Sequence, residues 1–302
     1  MHKFYIVDVF AEKKYAGNQL AVFRTAADIS GAEMQAIARE TNFSETTFVL
    51  SDNLRDGGYD VRIFTPRAEL PFAGHPTLGT AFIIKNQIIK SSVERVTLNL
   101  GVGKIPVAFG DDQYLWMQQV NPTFHRQLSV DEVAPVLNLK KEDLDLRFPI
   151  EEVSTGLPFV IVPLKSLKTV QDIHVNLDKY YDWLYRANPV LKTKPHALVA
   201  SGFMVFCAEA VEKGNHLHAR MFDDYFGVPE DPATGSGNGC LLGYLLKHDY
   251  FKKSELDLRV EQGYEIGRPS LLRIRGKKTT DSQFEIFVGG KVQMIAQGEW
   301  GE

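Results

Sequence analysis

Short runs in which apolar and polar residues alternate, or in which β-branched and aromatic residues crowd together, recur along the whole chain. Residues 4–10, 20–23, 46–50 and 59–64 carry this pattern and predict strands. Between the second and third, Ser30 and Glu33 have the spacing of a capping box, which predicts a helix burying Met34, Ile37 and Ala38 on one side. A loop at residues 65–76 then leads into an apolar stretch, 77–89, that predicts a buried helix, and strands follow at 96–100, 105–109 and 114–118. The first part of the chain is therefore β-rich and built about one apolar helix.

The second part repeats that order. Strands are predicted at 152–154, 158–162, 197–206 and 216–222, with helical patterns at 129–137 and 177–187. A glycine-rich loop then opens the apolar run 240–246, and strands are predicted at 256–260, 270–275 and 284–296. A loop followed by an apolar helix thus occurs twice, at 73–89 and 233–249, although the halves share little identity. The pattern predicts domains at 1–119 and 120–302, parted near Val120-Asn121-Pro122, with the last strand able to cross back to the first domain.

Composition narrows the function. The 302 residues are 44% hydrophobic and 24% charged with a net charge of -4, which describes a globular chain with a real core. Basic residues occur singly or in pairs, without the clustered positive face that nucleic acid requires. No run approaches the ~20 apolar residues that cross a bilayer, and the N-terminus lacks the pattern of a signal peptide. Two cysteines in apolar surroundings point to a reducing compartment, so a cytoplasmic location is expected.

The chemistry-bearing positions lie in the two glycine loops and beside one strand. Gly235, Gly237 and Gly239, with Ser236 and Asn238 between them, suit a cradle for an anion at a helix start, and Gly74 before Pro76 suits the same task in the first half. Tight turns and close packing are the structural alternative. No Walker or dinucleotide fingerprint matches their spacing. Glu45, flanked by Phe43 and Phe48, is a carboxylate whose proton affinity burial would raise, which suits a general acid or base. His75 in the first loop and Asp231 before the second could relay a proton or hold a substrate ammonium. His216 and His218 share a strand face without a third metal ligand of matching pattern, and Ser236 lacks the frame of a nucleophile elbow.

These positions also carry a resemblance. The segments DVFAEKKYAGNQLAVF, NFSETTFVL, RIFTPRAELPFAGHPTLGTAFI, STGLPF, GVPEDPATGSGNGC and VGGKVQMIAQGEW, in that order, resemble the phenazine-biosynthesis PhzF-like family over essentially the full length. The resemblance implies an α+β fold of the diaminopimelate epimerase kind: two similar domains, each a β-barrel-like sheet curled around a central apolar helix, with the site between them. It implies an isomerase without cofactor or metal that acts on a small carboxylate or amino-acid-like molecule. Glu45 would move the proton, His75 and Asp231 would assist, Gly74, Ser236, Gly235 and Gly237 would bind substrate, and the chain would pair as a homodimer. The two thiols used by the epimerase branch are absent, because the matching loop positions are His75 and Ser236 and Cys240 falls in the apolar run. A non-catalytic small-molecule binder or interaction protein on the same scaffold is the alternative, and a hydrolase acting through Ser236 is a third.

Overall fold

The computed structural model describes residues 1–110, 112–194 and 197–301. The first half runs β1 (His2–Val9), β2 (Asn18–Arg24), α1 (Gly31–Thr41), β3 (Glu45–Val49), β4 (Tyr59–Phe64), β5 (Glu69–Leu70), α2 (Gly74–Ile83), β6 (Arg95–Leu100), β7 (Gly103–Phe109) and β8 (Leu115–Gln118). The second runs β9 (Thr123–Leu128), α3 (Val130–Val133), β10 (Ile150–Ser154), β11 (Pro158–Pro163), α4 (Leu167–Gln171), α5 (Leu177–Ala187), β12 (Gly202–Cys207), β13 (Leu217–Asp223), β14 (Val228–Asp231), α6 (Gly235–Lys247), β15 (Glu255–Gln262), β16 (Ser270–Thr280) and β17 (Gln283–Gly290). The last strand, β18 (Val292–Trp300), pairs antiparallel with β1.

The same series of pairings is used in each half. In the first, β18, β1, β2, β3, β4, β6, β7 and β8 are neighbours in that order, antiparallel except for the parallel contacts β2–β3 and β4–β6. In the second, β9 through β13 and then β15, β16 and β17 follow the same order, with β11–β12 and β13–β15 parallel. β8 pairs with β17 and joins the two sheets. Each sheet curls around one helix, α2 or α6, and side chains of both halves form one continuous core. The fold is α+β, with two similar barrel-like units each curled around an apolar helix.

Several boundaries differ from the sequence pattern, each for a local reason. α2 starts at Gly74 rather than after Pro76, because proline fits the first turn, and residues Ile84–Ile89 widen into a π-helix. α6 likewise begins at Gly235, so the glycines lie within the helix and not in a loop before it. Residues 197–201 precede the strand that starts at Gly202, and only Val130–Val133 of the pattern at 129–137 is α-helical. The run at 284–296 breaks at Lys291 into β17 and β18, which serve different halves. At that crossing a Cβ on Gly290 would meet the Phe10 ring at 2.3 Å, which only glycine avoids.

Candidate active site

The two central helices meet start to start. A Cβ on Gly74 would lie 3.1 Å from the Gly235 Cα and 3.1 Å from the Ser236 amide nitrogen, and one on Gly235 would lie 3.3 Å from the Gly74 Cα. Neither helix start is capped by a side chain: Ala73 has none to offer, and Thr234 Oγ1 donates instead to Asp231 Oδ2 at 2.6 Å. The first-turn N–H groups of Gly74, His75, Gly235 and Ser236 therefore precede the first intrahelical bonds without a side-chain acceptor. Beside them is a cavity of about 90 Å³, lined by Gly74, His75, Gly235 and Ser236 together with Glu45, Asp231, Asp223 and a wall that includes Phe159, Val199 and Phe226. Gly237 does not line it; a Cβ there would face Thr234 Cγ2 at 3.2 Å and Met204 Sδ at 3.5 Å.

Glu45 reaches the cavity because α1 ends on Asn42, whose left-handed backbone (φ 53°) turns the chain so that β3 begins at Glu45. Glu45 Oε2 lies 3.4 Å from His75 Nε2, and both atoms are buried without a hydrogen-bond partner. Burial, with the nearby charge of Asp231, holds the Glu45 carboxyl well above the usual carboxylate range. Burial lowers His75 to about 3, so its imidazole is neutral at physiological pH. Asp231 is also raised by burial, and it is ringed by donors: Asn18 Nδ2 at 2.7 Å and Ser44 Oγ at 3.5 Å on Oδ1, and Thr234 on Oδ2. Asn18 spans the halves, since its amide nitrogen also lies 3.2 Å from His75 Nδ1 and donates to the Ala233 carbonyl at 3.0 Å.

A family model for phenazine biosynthesis-like proteins, PhzC-PhzF, matches residues 7–298. The chain belongs to this phenazine biosynthesis-like family. Among its relatives, the trans-2,3-dihydro-3-hydroxyanthranilate isomerase of Pseudomonas aeruginosa is 34% identical, covering 99% of each chain. An uncharacterized isomerase of Clostridium acetobutylicum is 31% identical over 99% of this chain and 97% of its own. The crystal structure of a PhzF-family phenazine biosynthesis protein from Bacillus anthracis superimposes with a TM-score of 0.85 at 27% identity, covering 100% of this chain and 99% of its own. A structure from Agrobacterium radiobacter named as a probable proline racemase, 11% identical with a TM-score of 0.58, shares the fold; the match covers 100% of this chain and 93% of that one. The protein is an isomerase of the PhzF family.

The structure of this PhzF-family isomerase brings Glu45, His75, Asp231, Gly74, Gly235 and Ser236 to one cavity and leaves Gly237 in the packing behind it. Asn18 and Asp223 carry no local signal in the sequence, because Asn18 is separated from Asp231 by 213 positions and Asp223 sits in an ordinary strand-to-turn sequence. His216 and His218 do not act together: His216 Nδ1 accepts from the Arg259 amide, while buried His218 is clasped by Glu261 and Glu265, each at 2.9 Å. Cys240 is core, with its thiol pushed up to about 12 by burial.

The buried acids carry a sign for stability. Glu45, Asp231 and Asp223 have folded-state values above the roughly 4 of an unfolded carboxylate, with Asp223 raised to about 7. Their contribution is fully present below about pH 4 and is lost as pH rises through the folded values. His218, raised by its two carboxylate partners against the pull of burial, adds a loss in the same direction above its unfolded value of about 6.5. The melting temperature is therefore expected to fall between pH 5 and pH 8, and Asp223→Asn is expected to flatten part of that fall. An equal slope in the variant, followed by circular dichroism, contradicts it.

Proposed function

We propose that this isomerase moves a proton on a small carboxylate without a cofactor, with Glu45 lifting a proton from carbon and returning one elsewhere along a conjugated system. The observation that carries the reading is the buried, unpartnered facing of Glu45 Oε2 and His75 Nε2 at 3.4 Å, beside two uncapped helix starts. A carboxylate whose proton affinity is raised by burial is a stronger base, and once protonated it is an acid suited to neutral pH. The amides of Gly74, Gly235 and Ser236 would take the substrate carboxylate and the charge that spreads onto it as the proton leaves. Asp231 keeps the proton affinity of Glu45 high, and Asn18 links it to the neutral His75. The step is redox-neutral: one C–H bond breaks, one forms, and Glu45 ends as it began.

The P. aeruginosa relative is named for trans-2,3-dihydro-3-hydroxyanthranilate, a cyclic amino carboxylate, and that compound is the first substrate to try. The apolar wall of Phe159, Val199 and Phe226 suits a ring of this kind. Purified protein, dialysed against a chelator and given no cofactor, is expected to consume the compound, read as a change in its diene absorbance. Turnover that appears only after addition of a metal or nucleotide refutes the cofactor-free reading.

A further inference from the structure

The cavity holds three carboxylates, Glu45, Asp231 and Asp223, and among its lining residues there is no lysine or arginine. Asp223 has no part in the proton transfer described above. It ends β13, is buried, and its Oδ1 accepts from Tyr180 Oη on α5 at 3.3 Å; Tyr180 in turn accepts from the Tyr225 amide at 3.3 Å. The Phe226 amide also donates to the carboxyl. Its described partners donate, which suits the charged form of the carboxyl, while burial pushes its pKa up to about 7. A buried carboxylate without a counter-charge is costly, and removing that cost requires a proton or a cation.

The fold itself does not need an acid here. The halves repeat the sequence Arg62-Ile-Phe64 as Arg220-Met-Phe222, each arginine held by a carboxylate in the following strand, Glu69 or Glu230. The residue after the phenylalanine is Thr65 in the first half and Asp223 in the second, and both line the cavity. Thr65 spends its hydroxyl on its own turn, donating to the Ala68 carbonyl at 3.1 Å and accepting from the Ala68 amide at 3.0 Å. The second half thus places a charge where the first half builds the equivalent turn with a satisfied hydroxyl.

We propose that Asp223 is a specificity-determining residue that receives a cationic amino group of the substrate, so that the enzyme takes zwitterionic amino carboxylates in preference to amine-free acids. The proposal rests on the reading that the helix starts hold the substrate carboxylate. At pH 8 a simple acid would add a negative charge to a cavity that has no cationic side chain among its lining residues and in which Asp223 and Asp231 are already charged, with only the helix starts to offset it. A zwitterion adds none, and it supplies Asp223 with its missing counter-charge.

The test is isothermal titration at pH 8 with two probes of matched shape, 2-(aminomethyl)benzoate and 2-ethylbenzoate. The native protein is expected to bind the amine at least ten-fold more tightly. In Asp223→Asn, and in the smaller Asp223→Ser, that preference is expected to shrink below three-fold while 2-ethylbenzoate binds as before or better, which also reports an intact cavity. Equal binding of the two probes by the native protein, or a preference that survives in both variants, overturns the role of Asp223 and leaves the carboxylate reading standing. Loss of 2-ethylbenzoate in both variants makes Asp223 a structural residue and also overturns it. If the native protein binds neither probe, the carboxylate reading falls and the proposal with it.

Discussion

Replacing Glu45 with Gln is expected to lower kcat by roughly 10²–10⁴-fold, the usual share of a positioned acid or base, while substrate binding and thermal stability stay close to native. The expectation follows from the environment of the side chain. Glu45 Oε2 has no hydrogen-bond partner to lose and lies 3.4 Å from His75 Nε2, so an amide of the same shape fits the same space. What the amide lacks is an oxygen basic enough to take a proton from carbon and, once protonated, acidic enough to return it. Because burial and Asp231 favour the protonated carboxyl, its neutral replacement also removes the mutual repulsion of the two acids, so the variant is expected to melt no lower than the native protein. Steady-state kinetics and thermal melts on the same sample separate the two effects. A variant that fails to fold shows instead that the carboxyl has a structural duty.

Gly74→Ala is expected to be the most damaging small substitution at the helix junction, destabilising the protein by about 1–3 kcal/mol, as overpacking does, and lowering activity with it. The added methyl would meet the Gly235 Cα and the Ser236 amide, each at 3.1 Å. Those are backbone atoms of a buried helix and have no rotamer into which to retreat, so the two helix starts must part. Parting them moves the amides of Gly235 and Ser236 away from Glu45 and His75, which belong to the first half. Gly237→Ala is the control: its methyl would face the ends of Thr234 and Met204, and alanine improves the helix. Urea denaturation of both variants checks this, and a Gly74→Ala protein as stable as native contradicts the close abutment.

The repeat of elements was legible because each strand carries its own alternation and each central helix its own apolar run, both local signals. The helix starts were not, because glycine has low helical propensity and its presence reads as a loop. Here Gly74 and Gly235 are glycine because a Cβ on either would come 3.1 or 3.3 Å from the Cα of the other, a fact that only the assembled halves contain. The glycines therefore serve the packing of helix on helix first, and the amides around them are bare because no side chain caps them. The acids Glu45 and Asp231 and the neutral His75 could be picked out from their neighbours along the chain. Asn18 could not, since its partners lie 57 and 213 positions away. Asp223 shows its meaning only beside Thr65, once the pairing of β4 with β5 and of β13 with β14 aligns the two halves.

The most direct test of Glu45 as the group that carries the proton is the product formed in D2O, examined by NMR for deuterium on carbon. With trans-2,3-dihydro-3-hydroxyanthranilate as substrate, the native enzyme is expected to place deuterium at one ring carbon, and Glu45→Gln to yield almost no product. Deuterated product formed by Glu45→Gln at the native rate would contradict the account, because some other group would then be moving the proton.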